Sequence, residues 1–157
     1  MIADPAPLPS LNEWIHDWEI QRDFTLAVAD KMPAKDYSFK ATPEEMEFGR
    51  MMVHIANAIA FRFEQISGEK ARIKTEPPYD KPEVIKFVRE SFDYGIRVIP
   101  KLQEDRLAAS YEVNWEGRKQ ATGRQIALAM FVHTAHHRAQ LEVYLRLKGI
   151  EPPIYTF

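Results

Sequence analysis

The sequence predicts an all-α fold, a four-helix bundle. Three observations carry that prediction. Capping-box spacings, an N-cap oxygen followed three residues later by Glu or Gln, stand at Ser10–Glu13, Thr42–Glu45, Asp80–Glu83 and Thr122–Gln125. Each opens a stretch of roughly 20–27 residues whose apolar positions recur at helical spacing. Proline and glycine punctuate the intervals, at Pro33, Gly68, Pro100 and Gly149. Four helices of that length in 157 residues make one bundle domain, taken as residues 1–157.

Residues 1–9 are proline-rich and are expected to lie extended on the surface. The first helix runs from Ser10 to about Lys31–Met32, stopped by Pro33, and buries Trp14, Trp18, Thr25 and Ala29 with Leu11 and Ile15 beside them. The second runs from Thr42, with Pro43 at its first position, to Ser67, with Gly68 as C-cap. Its apolar residues, among them Phe48, Met51, Met52, Ile55, Ile59, Phe61, Phe63 and Ile66, occupy more than one side, as in a central helix or one with a second contact. The third starts at Asp80 and faces inward through Val84, Phe87, Val88, Ser91, Phe92, Gly95, Val98 and Leu102; Pro100 should kink or interrupt it near Ile96. Residues 110–121, with Tyr111, Val113, Trp115 and a Glu116-Gly117 turn, read equally as a long loop or a short hairpin. The fourth helix spans Thr122 to Gly149. The intervals on either side of the third helix exceed what a tight antiparallel hairpin needs, so at least one connection could cross the bundle.

Composition narrows function by exclusion. A formal net charge of −2 offers no footprint for nucleic acid. No apolar run approaches a membrane span, and the N-terminus lacks the basic and apolar regions of a signal peptide, so the expected location is the cytoplasm. With no cysteine, disulfides, thiolate ligands and cysteine nucleophiles are excluded, and any metal must be held by His and carboxylates.

The fourth helix carries the chemistry. Its stripe reads Ile126, Met130, His133, His137, Gln140, Tyr144, Leu147, with two histidines where leucines would stand. Residues four apart share a helix face, so both imidazoles can reach one point. Two interior histidines one turn apart are hard to satisfy without a metal or a carboxylate between them. Given that pair, His54, amid the apolar residues of the second helix, is the remaining interior histidine and the third candidate ligand; alone it would read as a hydrogen-bonded core residue. His16 lies off the Trp14–Trp18 face and reads as solvated, and His136, about 60° around the helix from His133, as a wall of the site. Gln140 and Tyr144 continue the stripe, read first as core packing with a satisfied polar tip. Three imidazoles leave coordination positions for water or substrate, the catalytic rather than the structural pattern. The expected cofactor is one divalent ion, zinc or nickel foremost, with iron or manganese as further candidates.

Other metal enzymes fit less well. A zincin needs Glu after the first His, where Thr134 stands; the inverted motif needs Glu before the second, where His136 stands. Di-iron bundles need Glu-x-x-His, and Glu142 follows the histidines instead.

Met52-Val53-His54-Ile55-Ala56, then His133-x-x-His136-His137-Arg138-Ala139-Gln140, then Tyr144-Leu145-Arg146-x-x-Gly149-Ile150-x-Pro152-Pro153, resemble the motifs of the DinB-like family of metal-binding four-helix bundles, which includes YfiT-type proteins and bacterial thiol-dependent transferases. Tyr37–Pro43 adds to the likeness; Ala139 departs from it, standing where the family often has Gly. The resemblance implies a bundle with a long crossover connection, His54, His133 and His137 as metal ligands, and a homodimer. It also implies a metal-dependent thiol S-transferase or related hydrolase, acting on a low-molecular-weight thiol and a small electrophile. The alternative it leaves is a non-catalytic, stress-associated metal-binding bundle.

Overall fold

The computed structural model describes residues 11–155, so Ser10 of the first capping box and the proline-rich residues 1–9 lie outside the described residues. Helix α1 spans Leu11–Lys31. Trp18, Thr25 and Ala29 are fully enclosed, Trp14 and Ile15 half-buried, and His16 exposed. Thr25 satisfies its own hydroxyl by donating to the Gln21 carbonyl at 2.7 Å.

Helix α2 spans Phe48–Ser67, starting five residues later than the Thr42 capping box predicts. Thr42 to Glu45 form a turn instead, with the Glu45 amide donating to the Thr42 carbonyl. The first amides of α2 find backbone acceptors from the preceding loop: Phe48 donates to the Phe39 carbonyl at 2.9 Å and Gly49 to the Tyr37 carbonyl at 2.8 Å. Tyr37 is pinned in turn by its hydroxyl, which donates to the Ala29 carbonyl. At the other end Gly68 takes the left-handed conformation, φ 76°, as expected of a C-cap. Most apolar residues of α2 are enclosed, but Phe61 is 62% exposed.

Helix α3 spans Lys81–Val98 and buries every residue of its predicted face. Pro100 interrupts it, as expected, with the α-helix ending at Val98, two residues beyond Ile96. The α-helical bond from position 100 to the Ile96 carbonyl is the one a proline cannot make, so the helix tightens into a 3-10 turn over Ile99–Lys101 and stops. A short helix α4, Glu104–Ala108, follows where no element was expected. The undecided stretch is an antiparallel hairpin, β1 Ser110–Trp115 and β2 Arg118–Thr122, pairing Tyr111 with Ala121 and Trp115 with Arg118 across the Glu116-Gly117 turn.

Helix α5, Gly123–Leu147, opens on a complete capping box: Thr122 Oγ1 accepts from the Gln125 amide, and Gln125 Oε1 from the Thr122 amide. Its buried line differs from the predicted stripe. Ile126, Met130, Thr134, Leu141 and Leu145 face the core, His133 and His137 stand half-buried on the flank of that line, and Leu147 is 58% exposed. The histidines therefore border the core; they do not replace core leucines.

Helices α1 and α2 each pack against both α3 and α5. The order around the bundle is thus α1, α3, α2, α5. The links α1–α2 and α3–α5 both cross the diagonal, while the polar α2–α3 link joins neighbours. Trp18 sits at the centre of the aromatic core, edge-on to Phe63 and Phe131 and tilted against Phe92. Among the described residues no helix is long and apolar enough to cross a membrane.

Candidate metal centre

The diagonal topology brings α2 beside α5, so that His54 faces a helix 79 residues further along the chain. His54 Nε2 lies 3.0 Å from His133 Nε2. His137 completes the cluster, its ring centroid 4.8 Å from that of His54 and 4.5 Å from that of His133. One ligand atom from each of the three lies within 4.8 Å of the others. The three histidines singled out in the sequence thus converge. His54 does so from an exposed position at the rim of the bundle, not from the core interior expected for it.

The cluster fits a single ion on donor chemistry and on spacing. Two imidazole nitrogens on one tetrahedral zinc stand about 3.4 Å apart, close to the observed His54–His133 separation. Protonation is disfavoured throughout. His133 is pushed down to about 4, first by burial and then by the charges His137, His54 and His136 would carry. His54 is lowered by desolvation, then by His137 and Arg50. His137 is lowered by desolvation, opposed by its bond to Gln140. At neutral pH the set presents lone pairs, the form a divalent cation requires.

Two residues around the cluster were not expected in these roles. Gln140, read from sequence as packing, places Oε1 2.7 Å from His137 Nδ1. An amide oxygen only accepts, so His137 carries its proton on Nδ1 and leaves Nε2 free. The signal was the i, i+3 spacing of His137 and Gln140. Glu45, in the turn where helix α2 was expected to start, raises the proton affinity of His137 through space; nothing local in the sequence announces that contact. Tyr144 donates to the Met46 carbonyl at 3.0 Å and lies buried, two turns beyond His137. His136 is exposed, its ring 4.9 Å from that of His137, and it lines a groove on the outer side of α5. His133 Nδ1, by contrast, is buried without a hydrogen-bond partner. The ring is held by packing and by the Nε2 contact to His54 alone.

Comparison with known proteins agrees with this architecture. The chain is 20% identical over 146 residues to the uncharacterised protein YjoA of Bacillus subtilis, covering 92% of this chain and 95% of that one. The crystal structure of that DinB-like protein superposes with a TM-score of 0.72 at 21% identity, covering 90% of this chain and 96% of the other. A DinB-like protein from Bacillus cereus superposes with a TM-score of 0.76 at 20% identity, covering 92% and 97%. At these identities the likeness speaks to the fold. Sequence carries the assignment further, because the DinB superfamily model matches residues 17–141, from within α1 into α5 and across all three histidines, and so the chain belongs to that superfamily.

Proposed function

We propose that His54, His133 and His137 hold one divalent metal ion, zinc or nickel first, and that the loaded site transfers a small thiol to an electrophile or hydrolyses a related bond. One observation carries the reading: three proton-poor imidazoles from two helices converge with His133 Nε2 and His54 Nε2 3.0 Å apart and no carboxylate among the clustered groups. A bound ion would supply Lewis acidity, lowering the pKa of a thiol or water at an open position. The chain's own groups do the rest. Gln140 holds the His137 proton on Nδ1. Burial keeps His133 neutral. His136, exposed beside His137, is the nearest uncommitted imidazole to take a proton released at the site.

The test is metal analysis of protein produced without a histidine tag, with His54→Ala, His133→Ala and His137→Ala in parallel. One ion per chain, lost in each variant, is the expected result; retention of stoichiometric metal in all three overturns the site. Cobalt-substituted protein titrated with mercaptoethanol then probes the reaction class. A thiolate-to-cobalt absorption band supports thiol activation, and its absence removes the transferase reading while leaving metal binding standing.

A further inference from the structure

A groove of about 570 Å³ runs along the outer side of α5 beneath the hairpin, lined by Gln125, Leu128, Ala129, Val132, His133 and His136 from the helix and by Trp115 and Arg118 from the hairpin. It shares His133 with the histidine cluster and His136 with its rim. The floor is apolar, and its two largest aliphatic side chains face outward: Leu128 is 65% and Val132 58% exposed. The hairpin register sets Trp115 opposite Arg118, so a flat ring and a guanidinium bound the same end of the groove. A second guanidinium, Arg62 of α2, lies over the Trp115 ring at 5.5 Å and bonds to the neutral amide of Gln65. Neither Arg118 nor Arg62 has an ion pair among the described residues, and no carboxylate lines the groove. The acidic residue nearest Arg118 in sequence, Glu116, two positions before it, is exposed in the turn and is not part of the lining.

Apolar floor, aromatic wall and an uncompensated cation at one end select a definite kind of molecule. We infer that the groove binds a small organic carboxylate with a flat apolar body, the body on Trp115, Leu128 and Val132, the carboxylate at Arg118, and the far end directed to the His133 side. This deepens the proposed function by naming the class of the electrophilic substrate, and it rests on that reading only for the reaction, not for the binding. Arg118 suits the task because a guanidinium offers a carboxylate two parallel N–H donors, and the register pairs it with Trp115 at the same end of the groove. Selectivity should therefore be read in the charge of the ligand. The body supplies affinity to acid and amide alike, and only the acid engages Arg118.

The experiment titrates 4-phenylbutyrate and its neutral amide onto the protein by calorimetry, in chelator-treated and zinc-loaded forms. The expected result is a preference of roughly tenfold for the acid over the amide in both forms, as a charge-assisted bidentate pair would give. Arg118→Ala should remove that preference. Leu128→Glu should weaken both probes with metal content unchanged, and Arg118→Lys should restore part of the preference. Equal binding of acid and amide by the wild type overturns the inference. So does an acid preference that survives Arg118→Ala but vanishes on metal removal, since the carboxylate would then be a metal ligand. If the wild type sediments as a dimer that Leu128→Glu dissociates, and neither probe binds, the groove belongs to an interface between copies and the inference falls. A failure of metal uptake with acid preference intact removes the metal reading and leaves the groove assignment in place.

Discussion

His137 Nδ1 and Gln140 Oε1 stand 2.7 Å apart on successive turns of α5, and this one bond decides which nitrogen of His137 faces the cluster. Replacing the amide by an isosteric apolar group removes the acceptor, so the ring loses both its tautomer preference and its orientation. Gln140→Leu should lower metal affinity by about 10–100-fold with the helix content unchanged. A competition titration against a chromophoric chelator measures it. Gln140→Glu should retain most of the affinity, because a carboxylate accepts from the same N–H.

Metal removal should cost stability through mass action alone. An ion that binds only the folded chain, present at a hundred times its dissociation constant, adds about 2.7 kcal/mol. For a chain of this size that is roughly 5–10 °C in melting temperature. His54 is exposed, so His54→Ala should leave the melting point of the chelator-treated protein within about 1 °C while abolishing the increment on adding zinc. An increment that survives in the variant would show zinc acting elsewhere.

The metal-free protein should weaken as pH falls. His133 is held down to about 4 in the fold, first by burial, whereas the unfolded chain takes its proton near the ordinary value of about 6.5. Below that value the unfolded state binds a proton the fold refuses, so stability is intact above pH ~6.5 and declines progressively toward pH ~4. Urea midpoints of chelator-treated wild type and His133→Gln, measured across that window, should converge as the pH drops. His54 and His137, shifted in the same direction, add to the slope.

What was legible in the sequence was local. The Thr122 capping box closes within four residues, and it forms as read. The Thr42–Glu45 spacing is the same kind of signal, yet it yields a turn, because the acceptors that start α2 are the carbonyls of Tyr37 and Phe39, set by how that loop docks. Spacing put His133 and His137 on one face, and they share it; spacing could not tell the centre of the buried line from its edge, which depends on where α2 lies. Tertiary packing also hid the groove. Arg118 and Trp115 read as an ambiguous loop until the hairpin folded over α5. Their role needs three segments in contact, and no single window of sequence contains them.

Loop docking gives a prediction at Gly49. A Cβ built there would meet Tyr37 Cδ1 at 3.0 Å and the Tyr79 carbonyl oxygen at 3.1 Å. Backbone on one side and a hydrogen-bonded ring on the other leave little room to yield, since the Tyr37 hydroxyl is tied to Ala29. Gly49→Ala should destabilise by about 1–3 kcal/mol despite the higher helix propensity of alanine. Chemical denaturation reads the loss, and Tyr37→Phe should reduce the additional cost by freeing the ring.

Arg138 is 3% exposed between α5 and α1, with its guanidinium 4.3 Å over the Phe24 ring and Nη1 donating to Gln21 Oε1 at 2.6 Å. Its Nε is buried without a partner, and burial lowers its proton affinity. A cation so enclosed depends on the few acceptors it has, and removing one leaves more unbalanced charge than removing the cation itself. Gln21→Leu should therefore cost about 2–3 kcal/mol, and Arg138→Met, which keeps much of the stem and takes the charge away, should cost less. The double variant should be less destabilised than the sum of the two single changes, because the acceptor matters only while the charge is there. Urea denaturation of the four proteins closes the cycle, and simple additivity would mean that Gln21 and Arg138 are not energetically coupled.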